Sequence, residues 1–225
     1  MGRRNIINAI DLSSLGLDKI EEDEGGFRIG CMATLHDIET HEGLNKEFQN
    51  LFKEAVRHIV GVQFRNCATI GGSIFPKLGF SDVLTAFLAC DTQVILYKKG
   101  EVPLREFIYI PTDNDILTHL YVKKDGRKTA YESFRMTETD FPTITCAMAK
   151  TQDGFETVLG ARPKHAEVVV DEVVADAFSS EEVSDYAKRV IGKLQYGSNI
   201  RGSEQYRKQL SKVLIGRCIS RLTEE

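Results

Sequence analysis

Seven apolar residues in the stretch "FQNLFKEAVRHIVG" constrain the fold more than any other feature of this chain. Phe48, Leu51, Phe52, Ala55, Val56, Ile59 and Val60 recur at i, i+3, i+4, i+7, i+8, i+11 and i+12. That spacing lines one face of an α-helix; it cannot line one face of a strand, whose side chains alternate. It predicts a continuous amphipathic helix that buries its stripe against other elements, with Gly61 as its C-cap.

The elements that could cover the stripe are legible on both sides. Upstream, "NIINAIDLSSLGLDKIEEDEGGFRIGCMAT" reads as a short strand, a loop and a hairpin turning at Glu24-Gly25-Gly26, and Thr34 caps a short helix from Leu35. Downstream, Ser81 or Asp82 caps the apolar helix "VLTAFLA", and "TQVILYK" is a strand closed by a Lys99-Gly100 turn. Pro103, Pro111 and "TDND" change the composition, placing a domain boundary between residues 1–111 and 112–225. Beyond it, "ILTHLYVKKDGRKTAYESFRM" and "TITCAMAKTQDGFETVLGA" read as two strand pairs, each hinged on Asp-Gly. "ARPKHAEVVVDEVV" leads into helix, a further helix starts at Ser180, and a last one is capped by Ser203. That last helix is expected to carry Tyr206, Leu210, Val213, Leu214 and Cys218 inward. The fold class is α+β: an α/β domain, then an antiparallel sheet with closing helices.

A chain of 225 residues can bury a sizeable core. Its net charge of −4, without basic runs, argues against nucleic-acid binding. No apolar run reaches the ~20 residues that span a bilayer, and the start is not a secretory signal, so the cytoplasm is expected. The cysteines, at 31, 67, 90, 146 and 218, are widely spaced with no C-x-x-C, and read as mostly buried thiols rather than disulfides or metal ligands. His36 and His41, five apart, do not share a helix face.

One segment resists a purely structural reading. "RNCATIGGSIFPKLGFSD" is expected to run extended from Val62, reach Gly71-Gly72, and wander to Asp82 before a helix resumes. Gly-Gly can be a simple turn. It can also bring bare backbone amides to a phosphate, here with the Thr69 and Ser73 hydroxyls beside them and Asp82 able to bind a sugar hydroxyl. It is neither a G-x-G-x-x-G nor a Gly-Lys-Ser/Thr phosphate loop.

The same segment, with "SDVLTAFLACDTQVIL" after it, closely resembles the second flavin-binding motif of the FAD subunits of molybdenum hydroxylases. These are the xanthine-dehydrogenase and carbon-monoxide-dehydrogenase types, whose motif runs T-I-G-G-N/S-I, a spacer, then S-D and a helix. "AIDLSSLGLDKIEEDEGGFRIGCMATLHDIE", "GARPKHAE" and "NIRGSEQYRKQLSKVLIGRCI" are similar to further stretches of that family. The resemblance implies FAD as cofactor, with Gly71, Gly72, Ser73 and Thr69 at its pyrophosphate and Asp82 at its ribose or ribityl side. It places Ile59 near the adenine half, although Ile59 reads equally well as core. Leu117 and Arg135 would approach the isoalloxazine, where a cation stabilises the reduced ring; Arg135 also reads as a solvated strand arginine. The implied partners are a molybdopterin-binding large subunit and a [2Fe–2S] small subunit, with NAD a possible acceptor.

Relatives carry an A-G-G-T/S-x-L loop before "IDIS", and the chain as given opens after that point. Either Met1 is not the biological start, or half of the pyrophosphate clamp is lost; the FAD domain is expected to be truncated in this sequence. A FAD-free structural subunit of the same kind of complex is the alternative that this departure favours. A stand-alone flavin oxidase would need convergent catalytic residues, and none stands out.

Overall fold

The hairpin expected near Gly25-Gly26 opens the computed structural model, which describes residues 9–111, 114–172 and 178–223. Strand β1 (Ile20–Glu22) pairs antiparallel with β2 (Gly26–Gly30), and the Asp23 carboxylate accepts from the Gly25 and Gly26 amides at 2.8 Å to fix the turn. The strand expected before it falls mostly on residues 1–8, outside the described residues. Thr34 caps α1 (Leu35–Thr40) through a reciprocal box with Asp37.

The predicted long helix is shortened at both ends. Helix α2 (Glu42–Glu47) ends before Phe48; Gln49 and Asn50 take left-handed conformations (φ 45° and 62°), and α3 (Leu51–Val56) follows. The stripe still lies inward from Phe48 to Val56, but Val60 is 53% exposed at φ 51°. Long-range hydrogen bonds explain the late start. The Phe48 carbonyl accepts from Thr129 Oγ1 at 2.6 Å, and Gln49 Oε1 accepts from the Thr129 amide at 2.7 Å. Buried Asn45 donates to the Ile38, Glu39 and His41 carbonyls and accepts from the Lys53 amide, bridging the interruption. Gly61 accordingly does not end a helix; it precedes the single turn α4 (Val62–Arg65), where extended chain was expected.

Two short helices follow, α5 (Ile70–Ile74) and α6 (Asp82–Leu88), the second capped by Ser81 Oγ accepting from the Leu84 amide. Strands β3 (Thr92–Leu96) and β4 (Gly100–Pro103) form a hairpin, α7 (Leu104–Phe107) is one turn, and β5 (Leu117–Lys123) returns to the sheet. The first sheet has the order β1-β2-β5-β3-β4 and is wholly antiparallel. Its inward residues, among them Phe27, Ile29, Val94, Leu120 and Val122, share a core with side chains of α1–α3, α5 and α6.

The two-hairpin expectation is corrected at this point. β5 does not pair with β6 (Lys128–Phe134) across Asp125-Gly126; it pairs with β2 and β3, and the Asp-Gly step carries the chain from one sheet to the other. Arg127 holds that crossing, bonding Asp125, Glu156 and the Ala89 carbonyl. The first sheet thus continues past the expected 111/112 boundary to Lys123. The second Asp-Gly does close a hairpin: β7 (Ile144–Thr151) and β8 (Gly154–Gly160) pair with Thr151 opposite Gly154, whose φ is 135°. "ARPKHAEVVVDEVV", expected to lead into helix, carries strand β9 (Glu167–Asp171), and residues 173–177 lie outside the described residues.

In the second sheet, β6-β7-β8-β9, the central strands β7 and β8 are buried on both faces, so they do not read as alternating. Tyr131, Ala147 and Val158 face the first core; Cys146, Met148, Phe155 and Leu159 face α8 (Ser180–Gly192) and α9 (Glu204–Thr223). α9 buries Arg207, Ser211, Leu214, Ile215 and Cys218, while Tyr206 and Val213, expected inward, are exposed. The register follows Arg207, whose guanidinium donates to the Thr143 and Ala161 carbonyls and to Asn199. Among the described residues no helix is long and apolar enough to cross a membrane, and no cluster of His, Cys, Asp and Glu could hold a metal. The cysteines are free, all but Cys67 buried.

Candidate functional site

Gly71-Gly72 lies within the first turn of α5, and the two glycines do different work. Thr69 is the N-cap, its Oγ1 accepting from the Gly72 amide at 3.2 Å. The Ile70 amide donates to the Ala33 carbonyl at 2.9 Å and the Gly71 amide to the Cys31 carbonyl at 2.8 Å, pinning α5 to the segment after β2. A Cβ on Gly71 would sit 2.8 Å from Cys31 Cβ and 2.9 Å from its carbonyl oxygen, so the fold itself demands glycine there. A Cβ on Gly72 would meet only the Thr69 hydroxyl, at 3.2 Å. Packing does not require Gly72 to be bare.

That bare backbone lines a cleft of about 340 Å³, walled by Cys31, Met32, Thr69, Gly71, Phe75 and the Asp115–Leu117 segment. Thr69, Gly71, Gly72 and Leu117, expected as site residues, are thereby brought together. Ser73 does not line the cleft; its hydroxyl donates back to the Thr69 carbonyl at 3.0 Å. Ile59 packs against the first core, half-buried. The picture of several free amides converging on one spot is also corrected. The Ile70, Gly71 and Ser73 amides are hydrogen-bonded within the fold, and only the Gly72 amide is held by a rotatable side chain.

The sequence reading missed Asp115. Its carboxylate accepts from the amides of Lys98 (2.9 Å), Ile116 (2.8 Å) and Lys99 (3.1 Å), fixing the wall that carries Leu117. Burial pushes its pKa up, but these amide bonds outweigh burial and hold it below the usual carboxylate range. The "TDND" cluster was visible as a change of composition; its partners, some sixteen residues earlier, were not.

Asp82 and Arg135 meet each other outside this cleft. Arg135 Nη2 lies 2.6 Å from Asp82 Oδ1, and the Tyr131 hydroxyl donates to the same oxygen at 2.5 Å. The Asp82 and Arg135 side chains are 5% and 6% exposed, so Arg135 is no solvated strand arginine. Burial pushes the Asp82 pKa up, opposed by Arg135 and by the Tyr131 hydrogen bond; burial and the Asp82 charge push Tyr131 well above the usual phenol range. Arg135 Nη1 donates to Ser133 Oγ at 2.6 Å, whereas its Nε is the one buried side-chain polar atom among the described residues with no hydrogen-bond partner. Ser81 connects this triad to the cleft, its Oγ donating to the Ser73 carbonyl at 3.1 Å.

Comparison with known proteins bears on the family and the fold. The glyceraldehyde dehydrogenase medium chain of Sulfolobus acidocaldarius is 27% identical over 223 residues, covering 91% of this chain and 79% of that protein. The aldehyde oxidoreductase FAD-binding subunit PaoB of Escherichia coli K12 is 38% identical over 69 residues, 30% of this chain and 21% of PaoB. The fold is that of a chain in the carbon monoxide dehydrogenase of Hydrogenophaga pseudoflava, in a form lacking the Mo-pyranopterin moiety. The TM-score is 0.81 at 22% identity, covering 92% of this chain and 78% of that one. Residues 2–122 match the family described as the FAD binding domain in molybdopterin dehydrogenase, and the chain belongs to that family.

Proposed function

We propose that this chain is the FAD-binding, electron-transferring subunit of a xanthine-dehydrogenase-like molybdenum hydroxylase. In this reading a [2Fe–2S] small subunit delivers electrons, NAD or another acceptor takes them, a molybdopterin-binding large subunit holds the substrate, and the complex is cytoplasmic. The observation that carries it is Gly72, a bare backbone position that internal packing does not need, lining a cleft. A cradle that a single Cβ would begin to fill fits a pyrophosphate approaching the backbone.

The residues present divide the work of holding FAD. Thr69 Oγ1, released from the Gly72 amide by rotation, and that amide itself would hold the pyrophosphate. Leu117, on the wall fixed by Asp115, and Met32 would cover the ligand and exclude water. Asp82 and Arg135 would meet its sugar or ring side. FAD, when bound, supplies the redox chemistry, and the protein's part is binding, orientation and electrostatics. We assign the cofactor cleft to residues up to Lys123 and a supporting role to the second sheet and its helices.

The assay is flavin fluorescence titration of the full chain and of its complex with the two partner subunits. Gly72→Val is expected to abolish FAD retention while leaving the melting temperature of the flavin-free protein nearly unchanged. Unchanged retention would overturn the reading. A structural subunit without FAD is the second reading, favoured by the internally bonded amides of α5. A stoichiometric complex that carries no flavin would establish it.

A further inference from the structure

We propose that Tyr131 is a positioning residue for the cofactor. By holding one oxygen of Asp82, it presents the second oxygen, together with the Nε–H of Arg135, to a polar edge of the flavin that accepts once and donates once. The inference rests on the FAD-binding reading above.

The geometry is specific to these three side chains. Two donors, the Tyr131 hydroxyl and Arg135 Nη2, converge on Oδ1 of Asp82, which leaves Oδ2 outside both bonds. Arg135 is held in place by Ser133 through Nη1 and by Asp82 through Nη2, so its Nε cannot turn elsewhere, and it is buried without a partner. Buried polar atoms are almost always satisfied, and the exceptions call for an explanation. A vacant N–H donor beside a one-sided carboxylate matches a neighbouring carbonyl and N–H, as on the ring's imide edge, or a hydroxyl of the ribityl chain. Tyr131 comes from β6 and Asp82 from the first turn of α6, so the arrangement also joins the two layers.

Tyr131 acts on charge as well as on orientation. Tyr131 and Arg135 are the titratable side chains acting on Asp82; His58, Glu138 and Asp140 lie around this cluster, His58 and Asp140 within electrostatic reach of Arg135. Burial favours the protonated carboxyl, and the phenol's hydrogen bond opposes it. Without that bond Asp82 holds its proton to higher pH, and the Arg135 cation is then less neutralised. An uncompensated cation favours the more negative, reduced flavin.

Tyr131→Phe removes one oxygen and keeps the buried ring. In the flavin-loaded complex it is expected to weaken FAD binding about tenfold at neutral pH, because the Asp82 hydrogen bond to the flavin is no longer held in place. It should also move the pH inflection of the FAD dissociation constant upward and raise the flavin midpoint potential. Asp82→Asn, with Tyr131 intact, should abolish that inflection and raise the potential. Wild-type affinity, pH profile and potential in Tyr131→Phe, or a retained inflection in Asp82→Asn, would overturn the proposal. A wild-type complex without flavin would overturn it together with the FAD reading.

Discussion

Adding a single methyl at Gly71 and at Gly72 should have opposite consequences, although the two are adjacent in one helical turn. At Gly71 the new carbon would lie 2.8 Å from Cys31 Cβ and 2.9 Å from the Cys31 carbonyl oxygen. Comfortable carbon contacts are ~3.5–4.0 Å, so the overlap approaches a full ångström. Relief by separation would stretch the Gly71 amide's bond to that same carbonyl and the Ile70–Ala33 bond beside it. Overpacking of this kind costs about 1–3 kcal/mol, and replacing glycine by alanine in a helix returns about 0.5–1 kcal/mol. The net loss of about 1–2 kcal/mol lowers Tm by about 2–8 °C in a chain of this size. At Gly72 the methyl meets only a hydroxyl that can rotate, so Gly72→Ala should leave Tm unchanged or slightly raised. Its effect falls on the ligand, with FAD affinity lower by at least about tenfold, the loss of one hydrogen bond to a charged oxygen. Thermal melts of the flavin-free variants and fluorescence titration of the same samples test both halves. A destabilised Gly72→Ala beside a tolerated Gly71→Ala would refute the division of roles.

Two further perturbations probe the frame around the site. Arg65 grips Glu39 at 2.8 Å and bonds the Arg57 and Ile59 carbonyls, holding the loop that carries Ile59. Burial raises the Glu39 pKa, but the Arg65 and His36 bonds outweigh it and hold it below the usual carboxylate range. The stabilisation is therefore present above pH about 4.5 and lost as pH falls through the lower folded-state value. Glu39→Gln should cost about 1–2 kcal/mol at pH 7, between the exposed and fully buried cases, and reduce the acid sensitivity of stability below that pH. Urea unfolding at pH 7 and pH 4 checks it; equal losses at both would count against the ion pair. Gly154→Ala should destabilise by more than about 2 kcal/mol, because φ is 135° and the new Cβ would lie 2.4 Å from the Asp171 carbonyl oxygen. A melt within a degree of wild type would contradict the hairpin geometry.

Local chemistry was readable from the chain wherever neighbours in sequence are also neighbours in space. The Thr34 and Ser81 caps, the Gly25-Gly26 and Asp153-Gly154 hairpins and the inward stripe from Phe48 to Val56 are set by spacing, turn residues and hydroxyls. So is the gathering of Thr69, Gly71 and Gly72 at one place, since they share a helical turn. What the sequence could not show depends on distant partners. The helix starts only past Gln49 because Thr129 offers hydrogen bonds there; Asp125-Gly126 crosses between sheets because β5 pairs with β2 and β3; Asp82 turns to Arg135 and Tyr131, some fifty residues away. Asp115, and Arg207, which the closing motif contains without a role, are satisfied by backbone groups whose positions exist only once the chain has folded. Periodicity records which face is buried, whereas buried polar groups must find partners wherever the fold brings them, and that search is settled in three dimensions.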